Sequence, residues 1–116
     1  MKAGKLSVLG EEWTLLEGTE LEFPALKEDL DGYTDMSTRT IVIDSMELSE
    51  GDPTAKGNLK AYKQAVTRHE IIHAFLEESG LSINTRDEWA RNEEMVDWFA
   101  LQIPKLVKAF KAVGAL

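Results

Sequence analysis

From Leu59 to Ser79 the chain runs without a proline or a glycine, and Gly80 then stands where a helix needs a left-handed residue to stop. A helix of that length spans about 30 Å, the width of a small domain, so the rest of the chain must be built around it. With 116 residues in all, a single compact domain over 1–116 is expected, one that buries about two thirds of the surface its unfolded chain exposes. There is no cysteine, so no disulfide framework holds it, and any metal ion must be bound by His, Asp or Glu.

The residues before this helix read as strands. Leu6 to Leu9 and Trp13 to Leu16, joined at Gly10-Glu11-Glu12, predict a hairpin. Thr19 to Leu30, with Pro24 and several acids, reads as an extended edge or an irregular connection. Gly32 to Asp35 and Thr38 to Asp44 predict two more strands, the second carrying the β-branched run Thr40-Ile41-Val42-Ile43. Ser45 to Asn58 collects Gly51, Asp52, Pro53 and Gly57, which is loop chemistry. After Gly80, Thr85 and Glu88 have the spacing of a capping box and predict a second helix from about Arg86 that ends or kinks near Pro104. The class expected is α+β, a small N-terminal twisted sheet followed by two long helices.

Inside the first helix lies His69-Glu70-Ile71-Ile72-His73, which contains the only two histidines of the chain. Residues four apart stack on one helix face, so both imidazoles can reach one tetrahedral Zn²⁺. Glu70, rotated by about 100° from His69, can stand beside such an ion without binding it, placed to accept a proton from a water and to return it to a leaving group. The competing reading is two core histidines, each bonded to its own acceptor. Both fall in the same arc as Leu59, Tyr62, Val66 and Leu76, so they point inward together. That orientation favours the shared ion.

A third protein ligand is needed, and Glu88, Glu93, Glu94 and Asp97 are the acids on the second helix. Trp89, Met95, Val96, Phe99, Ala100 and Ile103 form its apolar stripe. Glu93 lies at the margin of that stripe, whereas Glu94 points nearly opposite and Glu88 reads as part of a solvated face. Glu93 is therefore the expected ligand. Asp97, one turn on, is placed to accept the second N–H of a ligating imidazole.

His69-Glu-x-x-His73 followed by Glu93-Glu94-Met95-Val96-Asp97-Trp98-Phe99-Ala100 and Pro104 resembles the gluzincin arrangement of H-E-x-x-H plus E-x-x-x-D. By pattern it is similar to the ImmA/IrrE-type metallopeptidases, with Val96 where that family usually has alanine, and to small phage and prophage proteins with an R-H-E-x-x-H-A-F segment. The resemblance covers roughly Thr67 to Pro104. It implies a minimal zincin: a twisted sheet, an active-site helix bearing zinc on His69, His73 and Glu93, and Glu70 as general base and acid in peptide-bond hydrolysis. It also implies that a strand near the metal helix, Tyr33 to Asp35 or Arg39 to Ile43, holds a peptide or protein substrate in extended form.

The charge balance narrows the partners. Thirteen Lys and Arg against 21 Asp and Glu give a net charge of -8, the wrong sign for a general nucleic-acid or anionic-membrane binder. No apolar run approaches a membrane span and no secretory signal is visible, so a cytoplasmic protein is expected. The alternative from another class is a non-catalytic zincin-fold binding or structural module, against which the presence of Glu70 argues. Tyr33 and Tyr62 read as buried or capping tyrosines rather than oxyanion stabilisers. Trp13, Trp89 and Trp98 read as packing residues, and Arg68 as a surface residue.

Overall fold

The computed structural model of the chain describes residues 2–27, 30–84, 86 and 88–116. It is an α+β fold with four strands, β1 (Lys2–Val8), β2 (Glu11–Gly18), β3 (Gly32–Asp35) and β4 (Thr40–Asp44). These precede a long helix α1 (Leu59–Glu78), a single helical turn α2 (Leu81–Asn84) and a second long helix α3 (Glu93–Ala112). Short 3₁₀ turns occupy Pro24–Lys27, Glu47–Ser49 and Trp89–Arg91.

The hairpin forms as expected, but with longer strands and a two-residue turn at Leu9-Gly10, both at positive φ. That pair is the turn whose twist matches its flanking strands, and it is why Glu11 and Glu12 belong to β2 rather than to the turn. The strand expected from Thr38 begins at Thr40 instead. Arg39 adopts φ 49° and its N–H bonds back to the carbonyl of Met36, so residues 36–39 make the turn between β3 and β4.

The sheet order is β1-β2-β4-β3, with β2 and β4 parallel and the other pairs antiparallel. Register then decides which residues share a face. Gly32 lies opposite Ile43 and Thr34 opposite Ile41, while Leu15 and Glu17 pair with Ile41 and Ile43 from the other side. Residues paired across a ladder project to the same face, so all six look toward α1. Val8, Trp13, Ile41, Ile43 and Ala74 of α1 form the buried core of that layer, with Leu6, Leu15, Val66 and Ile71 against it.

Polar contacts fix α1 lengthwise on the sheet. The Asn58 side chain accepts the Ala61 N–H at its start, and Gly80 at φ 81° closes its end. At the far end Glu78 accepts from the Trp13 indole (2.9 Å) and from Arg39 through Nε (2.6 Å) and Nη2 (3.2 Å). The Arg39 and Trp13 hydrogen bonds hold the Glu78 carboxyl below its ordinary value of 4.5.

The second long helix departs from expectation at its start. Glu88 sits at φ 58° and pairs with Arg91 at 3.4 Å, and Thr85 lies outside the described residues. The cap is Asn92, whose side chain accepts the Met95 N–H at 2.8 Å, placing Glu93 and Glu94 in the first turn where the helix dipole favours acids. Of the end or kink expected near Pro104, α3 does not end there: Pro104 lies inside it. Proline cannot donate to the carbonyl four residues back, and that carbonyl, on Ala100, accepts instead from Arg68 Nε at 2.6 Å. Arg68 is thus the clamp between α1 and α3 rather than a surface residue.

Trp13 is fully buried, whereas Trp89 and Trp98 are about half exposed. The apolar face of α3 is covered at Val96 and Ala100, then opens progressively to Phe110 at 44% and Val113 at 80% exposure. Among the described residues no helix is long and apolar enough to cross a membrane.

Two outcomes follow from these contacts. Because the Glu78 pKa is depressed in the folded chain, its contribution to stability is full above the unfolded value and is lost as pH falls through the folded one. Glu78→Gln should therefore lower the unfolding temperature at pH 7, with the deficit shrinking below about pH 4 in thermal melts across pH. Arg68→Met should cost about 1–2 kcal/mol in urea unfolding, and less in a Pro104→Ala background, where the restored N–H serves the Ala100 carbonyl.

Candidate metal centre

The elements bring five of the sequence-selected residues to one place. His69, Glu70 and His73 come from the middle of α1, Glu93 from the first turn of α3, and Asp97 from the next turn. The Arg68 to Ala100 bond sits beside them and sets the level at which the two helices meet. They border a cleft of about 690 Å³ whose opposite wall is Asp31 to Thr34 of β3 and its approach, with Tyr62 and Val66 along the α1 side.

Distances among the donors are short and convergent. Nε2 of His69 and Nε2 of His73 are 3.1 Å apart. The Glu93 carboxylate straddles them, with Oε2 at 2.9 Å from His69 and Oε1 at 2.8 Å from His73. His69, His73 and Glu93 form a group that could hold a metal ion, each offering one ligand atom within 4.8 Å of the others. A tetrahedral ion with bonds of roughly 2.0–2.1 Å places neighbouring donors about 3.3 Å apart, close to this spacing.

Asp97 fixes the orientation of the His69 ring. Asp97 Oδ1 lies 2.6 Å from His69 Nδ1, and an ionised carboxylate only accepts, so Nδ1 carries the proton. Nε2 is then the ring atom turned toward Glu93 and His73, where a metal ion held by the three donors would sit. The alternative of two core histidines with separate acceptors does not describe this arrangement, because both imidazoles share one partner, Glu93.

Glu70 occupies different surroundings. It is buried, at 8% exposure, whereas the side chains of Glu93 and Asp97 are 67% and 65% exposed. Burial raises its pKa, opposed by the Thr34 hydrogen bond and the two histidines. Oε1 is 3.0 Å from Thr34 Oγ1, and Oε2 is 3.9 Å from His69 Nε2. One carboxylate of the site is dry and anchored; the others are wet.

The remaining candidates fall away from the donor set. Glu88 pairs with Arg91, and Glu94 lies with Trp89 and Trp98 at a separate shallow depression. Tyr62 donates its hydroxyl to Asp31 Oδ2, a bond that with burial pushes the phenol up to about 12. Its proton is already committed. Burial also raises Tyr33, with Asp35 adding to the effect. Of the two strands considered for holding a substrate, β4 is paired on both sides, by β2 and β3, and has no free edge. Only β3 combines a free edge with a place on the cleft wall.

Three participants were not anticipated from the sequence: Thr34, Gly32 and Arg68. Thr34 and Gly32 were legible only as strand residues two apart, and a strand's facing cannot be assigned until its partner and register are known. No family model, curated protein or solved structure matches this chain. The case for the site therefore rests on its own geometry.

Removing the Asp97 carboxylate should weaken metal binding without abolishing it. For Asp97→Ala we expect a loss of about 10–100-fold in zinc affinity, measured by competition with a chromophoric chelator. His73→Ala should lose stoichiometric binding altogether.

Proposed function

We propose that this chain is a zinc-dependent peptide-bond hydrolase. The observation that carries the reading is the pairing of a convergent His69, His73 and Glu93 donor set with a separate, buried carboxylate on Glu70 that stands beside it without joining it. A site that only stabilised the fold would need the donors and would have no use for the Glu70 carboxylate beside them. The resemblance of the two helices to the gluzincin arrangement, and to phage and prophage proteins of that pattern, points the same way.

Bound zinc would supply a Lewis acid and a water of pKa near 7. The chain's own residues do the rest. His69 and His73 present their Nε2 atoms, and Glu93 closes the set from α3. Asp97 keeps the His69 proton on Nδ1, so that Nε2 stays available. Glu70 takes the proton of the attacking water at Oε2, the oxygen nearer the donor set, and delivers it to the leaving amine. The burial that raises its pKa makes it a stronger base than an exposed glutamate.

A peptide or protein substrate lies along the cleft, its backbone extended against the free edge of β3. The cleft walls, at Tyr33, Tyr62, Val66 and Leu101, set which side chains are accepted.

The deciding experiment combines metal content with turnover. Elemental mass spectrometry of the purified chain should find about one zinc per chain, lost in Glu93→Ala. Glu70→Gln should keep its zinc and lose at least about 100-fold of hydrolytic rate on a peptide library. Wild-type turnover in Glu70→Gln would refute the mechanism.

A further inference from the structure

We propose that Thr34 is a positioning residue for Glu70, fixing one carboxylate oxygen so that the other faces the reacting centre; this deepens the hydrolase reading and rests on it. Thr34 Oγ1 lies 3.0 Å from Glu70 Oε1 and 3.0 Å from the Glu70 main-chain carbonyl. The single hydroxyl proton has these two acceptors at equal distance, so the bond is three-centred, shared between the backbone carbonyl and the carboxylate of Glu70. With Oε1 held on β3, Oε2 is the oxygen left toward His69 Nε2, at 3.9 Å. The two oxygens of the general base thereby take different roles.

Gly32 completes the seat. It is two residues before Thr34 and on the same face of β3, and a Cβ there would stand 3.2 Å from Glu70 Cγ and 3.0 Å from the Val42 carbonyl oxygen. One strand position thus clears the room that the Glu70 side chain needs, and the next on that face supplies its hydrogen bond. A free glutamate side chain samples several rotamers. This one is confined by a slot and a bond on an edge strand that also forms the cleft wall.

The bond survives the reaction. As the water oxygen bonds to the substrate carbonyl carbon, the water proton moves to Oε2, and Oε1 remains an acceptor for Thr34. When the carbon–nitrogen bond breaks, the same proton passes from Oε2 to the leaving amine. The Thr34 proton never transfers, so Glu70 serves as base and then as acid without turning. Thr34 touches no reacting atom; it acts through Glu70.

The test uses the zinc-loaded full chain, with Thr34→Val removing the hydroxyl at nearly constant shape and Thr34→Ser keeping it. Two readouts are taken: hydrolysis of fluorescein-labelled casein, and calorimetric binding of acetohydroxamic acid, whose hydroxyl proton must pass to a nearby base when its oxygens chelate the metal. Thr34→Val should keep wild-type zinc stoichiometry and KM, lose about 10–100-fold in kcat, and bind the hydroxamate about 10-fold more weakly. Thr34→Ser should return both to within about three-fold of wild type. Wild-type hydroxamate affinity in Thr34→Val overturns the proposal, as does a Thr34→Ser that stays as weak as Thr34→Val. A wild-type chain that binds hydroxamate but cleaves no casein overturns the hydrolase reading, and the hydroxamate comparison alone then decides Thr34. A wild-type chain that takes up no zinc overturns both.

Discussion

The meeting of α1 and α3 depends on one hydrogen bond that the sequence makes necessary. Pro104 strips the Ala100 carbonyl of its helical donor, and a buried or half-buried carbonyl left bare is expensive. Arg68 supplies the missing donor from the neighbouring helix, one residue before His69. A local defect in α3 has become the attachment point of α1, and it lies at the level where His69 and His73 meet Glu93. Had α3 kept an unbroken hydrogen-bond ladder, the Ala100 carbonyl would already be served within its own helix.

Much of this could be read before any coordinates. The uninterrupted run ending at Gly80 gave α1 its boundaries, because proline and glycine act locally and need no tertiary partner to take effect. The β-branched run at Ile41 to Ile43 gave β4, and the i, i+4 histidines gave the face on which a metal ion could be held. Glu93 and Asp97 were separable from Glu88 and Glu94 by helical phase alone. What escaped was whatever depends on a partner. Thr85 and Glu88 have the spacing of a capping box, but Asn92 caps the helix, and both patterns are chemically sound. Pro104 reads as an end or a kink, and nothing local announces the arginine from another element that serves the freed carbonyl. Thr34 is one more β-branched strand residue until register turns it toward Glu70.

The site divides its carboxylates by environment. Glu93 and Asp97 stand exposed to water in the first turns of α3. Glu70 is held where ionisation is costly, between a strand and the histidines. Such burial works against stability in the folded chain, and the fold offsets it with contacts away from the site. One of these is the triple contact of Glu78 with Trp13 and Arg39, which pins the end of α1 to the sheet.

The sheet has two outer strands, and each meets the hazard of an open edge in its own way. Along β1 the lysines Lys2 and Lys5 pair with Glu17 and Glu12 of the neighbouring strand, so another chain approaching that side would encounter charge. Beside the cleft no such guard stands on β3, but the strand is only four residues long. At about 3.3 Å per residue it offers roughly 13 Å of backbone, with only alternate amides and carbonyls turned outward. That is too short a template to seed edge-to-edge stacking of copies into aggregates. Brevity limits the hazard of keeping one strand open next to the cleft.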